Sequence, residues 1–407
     1  MAGSTVILGA GIIGTATAYY LSQDPSAGQV HLVEASPELF ASASGKAGGF
    51  LAEDWFGPAT AELGELSFRL HRELAEQYDG RKKWGYSRST GTSLVVGRDK
   101  SSKKKSKEWL QHGGSRAEVA KAEKIEHYTD GSGPGWMRKK DGNRVEMISD
   151  EGGVAQVDPK RLCEFLLEKS LEQGVKLHQP ARATKILQDR EGVVAGVTIQ
   201  KPDETAEDIS CSRILIAAGA WTSRVFAELF PTSSTRIPVT QLAGHSLVVR
   251  SPRWTAEQEA TGCHAVFASS SEAWSPEIFS RIGEEIYIAG LNSSSMPLPD
   301  LPTGATADRG AIEQVTQVTE QMIGSDFEVV RDGLCFRPVT RSGNPILAQV
   351  PDAKLDGGVS TAASGGVFVC AGHGPWGISL GLGTGKVMSE MLQHDEMSCD
   401  VNMLGSG

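Results

Sequence analysis

The residues that could do chemistry first appear near the start of the chain, in the loop Gly9-Ala10-Gly11-Ile12-Ile13-Gly14 after the apolar run Thr5-Val6-Ile7-Leu8. In a turn from a buried strand into a helix, Gly9 permits the tight turn, Gly11 lets the backbone approach a pyrophosphate, and Gly14 lets helix and strand pack closely. The unpaired amides at the helix N-terminus then face the phosphates. The loop therefore predicts a dinucleotide site.

A carboxylate closes the second predicted strand, Val30-His31-Leu32-Val33-Glu34, and lies 20 residues beyond Gly14. An acidic side chain at this place accepts hydrogen bonds from ribose hydroxyls and repels a 2′-phosphate. The sequence thus disfavours NADP and leaves FAD and NAD open.

Two later glycine-rich segments bear on that choice. Ser42-Ala43-Ser44-Gly45-Lys46-Ala47-Gly48-Gly49-Phe50 is a run of small residues that suits neither a core strand nor a core helix, so its backbone can lie against a flat ligand; a surface loop is the alternative. Val367 to Gly377 reads as a buried strand entering a glycine-rich turn, followed by a predicted helix from Ile378 to Leu392. Amides at the start of that helix would stabilise negative charge on a reduced ring.

Together these segments resemble the D-amino-acid oxidase superfamily of flavoenzymes, which includes glycine and sarcosine oxidases. The run from Ser44 to Leu51 looks most like the fungal oxidoreductases of that superfamily, whose reactions are unassigned. Matches at Val157-Asp158-Pro159 and from Arg213 to Trp221 extend the resemblance along most of the chain. The resemblance implies FAD as the cofactor, with the backbone near Val175 receiving the adenine. It further implies that the cofactor contacts residues in all of these segments: Gly9, Gly11, Ile12, Ile13, Gly14, Glu34, Ala35, Ser42, Ser44, Lys46, Ala47, Gly48, Gly49, Val175, Ala218, Gly219, Trp221, Cys335, Gly372, His373, Gly374, Trp376, Gly377 and Ile378.

The segment Leu334 to Thr340 carries the clearest candidates for substrate binding. The resemblance implies that Arg337 pairs with a substrate carboxylate, as a guanidinium does in bidentate fashion; a structural salt bridge is the alternative. Cys335 stands where sarcosine-oxidase relatives link flavin covalently and glycine-oxidase relatives have glycine. Because a buried free cysteine is common, non-covalent FAD is favoured and a covalent link at Cys335 stays open.

Four further side chains are candidates for the catalytic site. Lys46 could direct its cation at the flavin to activate oxygen, or contact a cofactor phosphate. Trp376 could touch ligand or flavin, or only pack. His245 and His373 are site histidines or satisfy backbone groups, and we expect neither to be an obligatory base, since hydride transfer needs only a neutral amine.

These residues require an α/β fold with a Rossmann-type FAD-binding domain and an α+β substrate domain built on an antiparallel sheet. At 407 residues the chain is long enough for two domains. We predict that residues 1–52, 151–235 and 336–407 form the discontinuous FAD-binding domain. Residues 53–150 and 236–335 then form the substrate domain, where short alternating strands between Pro238 and Gly290 suit an antiparallel sheet.

Composition excludes several classes of protein. A formal charge of −10 argues against nucleic acid as a partner, and the basic run from Asp99 to Lys107 reads as a solvated loop. There is no apolar stretch of about 20 residues that could span a membrane. The six cysteines are dispersed, which predicts neither a disulfide framework nor a metal site. With a strand following Met1-Ala2-Gly3-Ser4 at once, we expect a cytoplasmic protein.

The leading hypothesis is an FAD-dependent oxidase or dehydrogenase. An amine or amino acid would give a hydride to flavin N5, and the reduced flavin would pass electrons to oxygen, giving hydrogen peroxide, or to another acceptor. An FAD-binding regulatory or trafficking protein with little turnover is the alternative, since fold alone does not fix a reaction. An NAD-dependent dehydrogenase would require the turn from Gly372 to Gly377 to be incidental.

Overall fold

The computed structural model describes residues 3–96, 116, 133–138, 142–269, 274–355 and 357–405. The basic run predicted to be a solvated loop lies outside these residues. The strands are β1 (Thr5–Leu8), β2 (Val30–Val33), β3 (Phe50–Ala52), β4 (Ser87–Val95), β5 (Arg144–Ser149), β6 (Val154–Gln156), β7 (Lys176–His178), β8 (Arg182–Gln188), β9 (Val194–Gln200), β10 (Ala206–Ser210), β11 (Arg213–Ile216), β12 (Thr240–Arg250), β13 (Cys263–Ser269), β14 (Glu277–Arg281), β15 (Glu285–Ser293), β16 (Glu328–Val339), β17 (Ile346–Val350) and β18 (Gly366–Ala371). The helices are α1 (Ile12–Ser22), α2 (Ala43–Lys46), α3 (Ala61–Tyr78), α4 (Gly80–Trp84), α5 (Pro159–Glu172), α6 (Thr222–Leu229), α7 (Ala256–Glu259), α8 (Arg309–Ile323) and α9 (Gly381–Gln393).

A parallel sheet forms the first layer of the described chain, in the order β17-β18-β11-β1-β2-β7, with only the edge strand β17 antiparallel. Its central strands are buried along their whole length, which explains why they read as continuous apolar runs. Helices α1, α3, α5 and α9 cover one face and share one hydrophobic core. Helix α5 begins at Pro159 because the Asp158 side chain accepts the Arg161 amide in its first turn and proline suits the first helical position.

The carboxyl edge of this sheet collects the predicted cofactor segments. The loop from Gly9 follows β1, Glu34 follows β2, Ala217 to Gly219 follow β11, and Gly372 follows β18. Ligands of open α/β sheets bind at this edge, where the strand order reverses. The Rossmann-type fold predicted from the sequence is therefore confirmed.

A second, larger sheet has the order β16-β12-β15-β14-β13-β4-β6-β3, with β5 also paired to β4. Its pairings are antiparallel, as predicted, except that β4 and β13 run parallel. Helix α8 packs against β12 and β15. Strands β8, β9 and β10 form a separate small antiparallel sheet. The domain boundaries given above stay a prediction.

Candidate functional site

The glycine loop after β1 is shaped by the packing of β1, α1 and β11. Gly9 has a φ of +109°, and a Cβ on it would lie 2.6 Å from the Ala217 carbonyl oxygen. Gly14 lies against the Gly9 carbonyl with no room for a side chain, whereas a Cβ on Gly11 would approach only the Ser44 hydroxyl, at 3.1 Å. Gly9 and Gly14 are thus required by the fold, and Gly11 leaves space for a ligand.

Glu34 ties the end of β2 to the same loop. Its carboxylate accepts hydrogen bonds from the Ala10 amide at 2.9 Å and the Ser36 amide at 2.8 Å. Burial raises the pKa of the Glu34 carboxyl, and these backbone amides oppose that rise. The carboxylate is held in place with further lone pairs for a sugar hydroxyl.

The small-residue run includes one short helix, α2, whose only buried residue is Gly45, so it is not a core helix. Helix α2 takes up Ala43–Lys46, because Ser44 can then accept the Ile12 amide at 2.9 Å. Ser42 accepts the Phe336 amide at 3.2 Å. The Nζ of Lys46, the last residue of this helix, donates to the Leu334 carbonyl oxygen at 3.1 Å.

The C-terminal glycine turn differs from the prediction. Gly374, Pro375 and Trp376 form a single 3-10 turn, and helix α9 begins at Gly381 rather than at Ile378. Residues 377–380, where the helix was predicted to begin, form a turn between the 3-10 turn and α9. His373 is buried beside it, with Nε2 hydrogen-bonded to the Thr384 hydroxyl at 3.1 Å, and burial lowers its pKa to about 3.

One cleft connects these segments to the large sheet and encloses about 1720 Å³, part of it open to solvent. Its lining includes both the loops at the carboxyl edge of the parallel sheet and strands β14, β15 and β16, so a ligand bound at the loops can extend to the large sheet. The predicted site residues that line it are Gly9, Gly11, Ile12, Ile13, Glu34, Ala35, Ser42, Ser44, Ala47, Gly48, Gly49, Ala218, Gly219, Trp221, Cys335, Arg337, His373, Gly374, Gly377 and Ile378. We call the part formed by Gly9, Gly11, Glu34, Ala218 and Gly219 the glycine side.

Six predicted site residues do not line the cleft: Gly14, Lys46, Val175, His245, Gly372 and Trp376. Val175 instead closes the end of α5, its amide donating to the Ser170 carbonyl at 3.1 Å, while Ala181 to Ala183 line the cleft. His245 accepts the Asp308 amide at 3.1 Å and so serves the start of α8. Gly372, with a φ of +90°, packs against Thr340.

The opposite wall, which we call the aromatic side, is formed by Phe50, Glu277, Phe279, Tyr287 and Arg337. Phe279 and Tyr287 are directly opposite each other on β14 and β15, and their rings stack with centroids 6.0 Å apart. Burial raises the pKa of the Tyr287 hydroxyl, so it stays protonated. The Tyr287 hydroxyl and the Arg337 guanidinium also influence each other electrostatically.

Arg337 crosses one strand, β12, to reach its hydrogen-bond partner on β15. From β16 its guanidinium passes over Gly244 on β12, where any Cβ would collide with it, and donates to the Asn292 side-chain oxygen on β15 at 2.7 Å. Burial alone would lower the pKa of Arg337, but Cys335, Tyr287 and Glu277 raise it, so the group stays cationic. None of the ion pairs between described residues includes Arg337.

A buried ion pair joins the aromatic side. Arg116 binds Glu277 in bidentate fashion, at 3.0 and 2.8 Å, and its guanidinium lies 4.6 Å from the centre of the Trp376 ring. Trp376 thus packs behind the pair, against Phe56. The charges of Arg116 and Glu277 cancel, which leaves Arg337 as the cation of the aromatic side.

Sequence reasoning did not identify Glu277, Phe279 and Tyr287 as site residues. A usable signal existed, since alternate residues of a strand share a face and Glu277 and Phe279 are two apart. Their partner across the sheet depends on strand register, which the sequence left open.

The residues of the cleft fit FAD. The close-packed glycines leave a backbone cradle at the carboxyl edge, Glu34 offers acceptors for a ribose, and the backbone of Ala47 to Gly49 lines the cleft beside the aromatic side. In the residues that the structure describes, no helix is both long and apolar enough to cross a membrane.

Fold and cleft together define an α/β protein with a Rossmann-type dinucleotide site, and comparison with known proteins identifies its family. Residues 4–391 match the model of the FAD-dependent oxidoreductase family, DAO, and the chain belongs to that family. This confirms the resemblance to the D-amino-acid oxidase superfamily.

Individual proteins show the same relationship. A Schizosaccharomyces pombe protein named only as an oxidoreductase is 27% identical over 406 residues, covering 95% of this chain and 93% of the relative. Glycine oxidase from Geobacillus kaustophilus has a similar fold, with a TM-score of 0.75, 19% identity and coverage of 100% of this chain and 99% of that one. Iminodiacetate oxidase from Chelativorans sp. BNC1 gives a TM-score of 0.72, 18% identity and coverage of 99% and 98%.

Proposed function

We propose that this chain oxidises the C–N bond of an amine that bears a carboxylate, such as an amino acid, with non-covalently bound FAD. The observation that carries the proposal is Arg337: a half-buried guanidinium that lines the cleft, is positioned by the neutral Asn292 side chain, and belongs to no ion pair between described residues. A carboxylate is the ligand that such a group binds best. Structural neighbours named as oxidases of glycine and iminodiacetate, both carboxylate-bearing amines, support the proposal.

The side chains of the aromatic side would orient the substrate. Arg337 would hold its carboxylate, while the stacked Phe279 and Tyr287 rings would exclude water from the carbon that reacts. When bound, FAD accepts a hydride from that carbon. The substrate would react as the neutral amine, and its product imine would be hydrolysed by water.

No side chain of the cleft needs to act as an obligatory base. His373 is neutral because burial lowers its pKa to about 3, and His245 lies outside the cleft. Lys46 and Trp376 are likewise outside its lining, so we assign them supporting roles: Lys46 holds the Leu334 carbonyl and Trp376 backs the Arg116–Glu277 pair. Two electrons would leave the reduced cofactor for oxygen, giving hydrogen peroxide.

The test uses the holoenzyme and pairs of ligands that differ only in a carboxylate. Under anaerobic conditions, amino acids should bleach the visible flavin absorbance, and the amines lacking the carboxylate should do so far more slowly. Arg337→Met should lower kcat/KM for the amino acid by about 100-fold, the effect of losing one partner of a buried charge pair, and leave the amine unchanged. Arg253→Met, which removes an arginine that pairs with Asp326 and does not line the cleft, is the control.

Several outcomes would contradict parts of the proposal. Bleaching by no member of a broad panel would favour an FAD-binding protein with little turnover. If Arg337→Met lowers kcat/KM equally for the amine and the amino acid, Arg337 does not bind the substrate carboxylate. In air, turnover of the enzyme without formation of hydrogen peroxide would show that the electrons pass to an acceptor other than oxygen. Acid precipitation should release all the flavin, and colour retained in the pellet would indicate a covalent link at Cys335.

A further inference from the structure

Arg281, the last residue of β14, is a fully buried arginine that the proposed reaction does not use. Its guanidinium donates to two consecutive carbonyls of the backbone segment that lines the cleft, with Nε and Nη2 at 3.0 and 2.7 Å from the Gly48 oxygen and Nη2 also bonded to the Ala47 oxygen. Among the described residues Arg281 belongs to no ion pair, and its Nη1 has no hydrogen-bond partner. A buried charge without a counterion is costly to keep.

The Gly48 carbonyl receives a second buried donor. Gln156, on β6, is fully buried and donates through Nε2 to the Gly48 oxygen at 2.5 Å. Side chains from two strands of the large sheet therefore converge on one peptide. Neither Arg281 nor Gln156 lines the cleft, whereas Ala47, Gly48 and Gly49 do.

The orientation of the two peptides follows from their planarity. In a trans peptide the N–H points away from the C=O, so carbonyls of Ala47 and Gly48 that face Arg281 turn the amides of Gly48 and Gly49 to the opposite side. Gly48 borders the aromatic side, since a Cβ on Gly48 would come within 2.6 Å of the Phe279 ring. Successive amides that share a side attract negative charge.

We propose that Arg281 is a positioning residue that raises the reduction potential of the bound FAD. Its cation polarises the two peptides from behind, and their amides then favour the negative charge that two electrons and one proton leave on the ring. This cation replaces the predicted helix N-terminus, since α9 begins only at Gly381. The proposal depends on bound FAD and is independent of the substrate proposed above.

The test measures the midpoint potential of the bound flavin with a chemical reductant and an indicator dye, in the absence of substrate. At a fixed solution potential, Arg281→Met should lower the ratio of reduced to oxidised flavin at least tenfold, which corresponds to about 30 mV for a two-electron couple. Arg281→Lys, which keeps the charge, should recover most of the difference. Arg281→Gln, which keeps a donor without the charge, should behave like Arg281→Met.

Arg213 provides a matched control. It is also buried, it donates to the backbone carbonyls of Gly3, Ala27 and Leu392, and it lies at the amino end of β11, away from the cleft. Arg213→Met should change the flavin ratio less than threefold. Equal shifts in the two methionine variants, or wild-type potentials in Arg281→Met, would overturn the proposal. If Arg281→Met does not retain FAD, the ratio of reduced to oxidised flavin in Arg281→Gln is compared with the wild type and with Arg213→Met instead, and a wild-type ratio in Arg281→Gln overturns the proposal.

Discussion

The glycine side and the aromatic side of the cleft are built by different means. On the glycine side, backbone segments approach each other so closely that Gly9 and Gly14 admit no side chain, and each contribution comes from a loop that directly follows a strand of the parallel sheet. On the aromatic side, Phe279, Tyr287 and Arg337 come from three strands of the large sheet and meet only through its register.

The difference separates two requirements of the same cleft. A dinucleotide needs a tight backbone cradle, which local sequence encodes. A small substrate needs a few side chains held at set positions, and here the absence of a side chain at Gly244 lets Arg337 reach Asn292. Substitutions on the glycine side should therefore affect cofactor retention, and substitutions on the aromatic side should affect substrate selectivity.

The largest expected effect is on the glycine side. Gly9→Ala combines a strained left-handed backbone with a contact to the Ala217 carbonyl, together about 3 kcal/mol, and should weaken FAD binding about 100-fold. The measurement is a titration of apoprotein with FAD. Gly57→Ala, at a glycine with open space around it, should bind FAD normally. Normal binding by Gly9→Ala would mean that the loop can shift without consequence.

A smaller effect is expected at Gly244, where the clash falls on the far end of a flexible side chain. Gly244→Ala should displace the Arg337 guanidinium and lower kcat/KM for an amino acid about 30-fold, or about 2 kcal/mol, the range for a hydrogen bond to a charged group. FAD affinity should stay unchanged. If FAD affinity falls as much as kcat/KM, the aromatic side contributes to cofactor binding as well as to substrate binding.

The same difference decides how much could be predicted from the sequence. The glycine loop, Glu34 and the parallel sheet were predictable because each depends on residues close together in the chain. Arg337 was predictable only through family resemblance. Phe279 and Tyr287 were not identified, because their meeting depends on the pairing of β14 with β15 and on the pleat of both strands.

Local physical features separate the structure from the sequence-based expectations in three places, and the FAD contacts of Val175 and Lys46 stay predictions. The helix expected from Ile378 begins at Gly381, since Gly374 and Pro375 start a 3-10 turn first. Val175 is used to end α5, so the cleft is lined by residues further along, at Ala181 to Ala183. Lys46 was expected beside a flavin on the basis of its place in a small-residue run, but helix α2 turns it toward Leu334.

The smallest expected effect lies at His373, which lines the cleft beside the 3-10 turn. Burial lowers the pKa of His373 from 6.5 to about 3. Between these two values the imidazole is protonated in the unfolded chain and neutral in the folded chain. Its contribution to stability is complete above pH 6.5 and is lost as the pH falls toward 3, by about 1.4 kcal/mol at pH 5.5. His373→Gln, which keeps a polar group near Thr384, should therefore show a flatter fall of melting temperature with acid than the wild type at one FAD concentration. Parallel curves would show that this histidine is protonated in the folded protein. Because His373 stays neutral well above pH 3, His373→Gln should leave the pH profile of kcat/KM unchanged. The residues that determine substrate oxidation would then lie on the aromatic side.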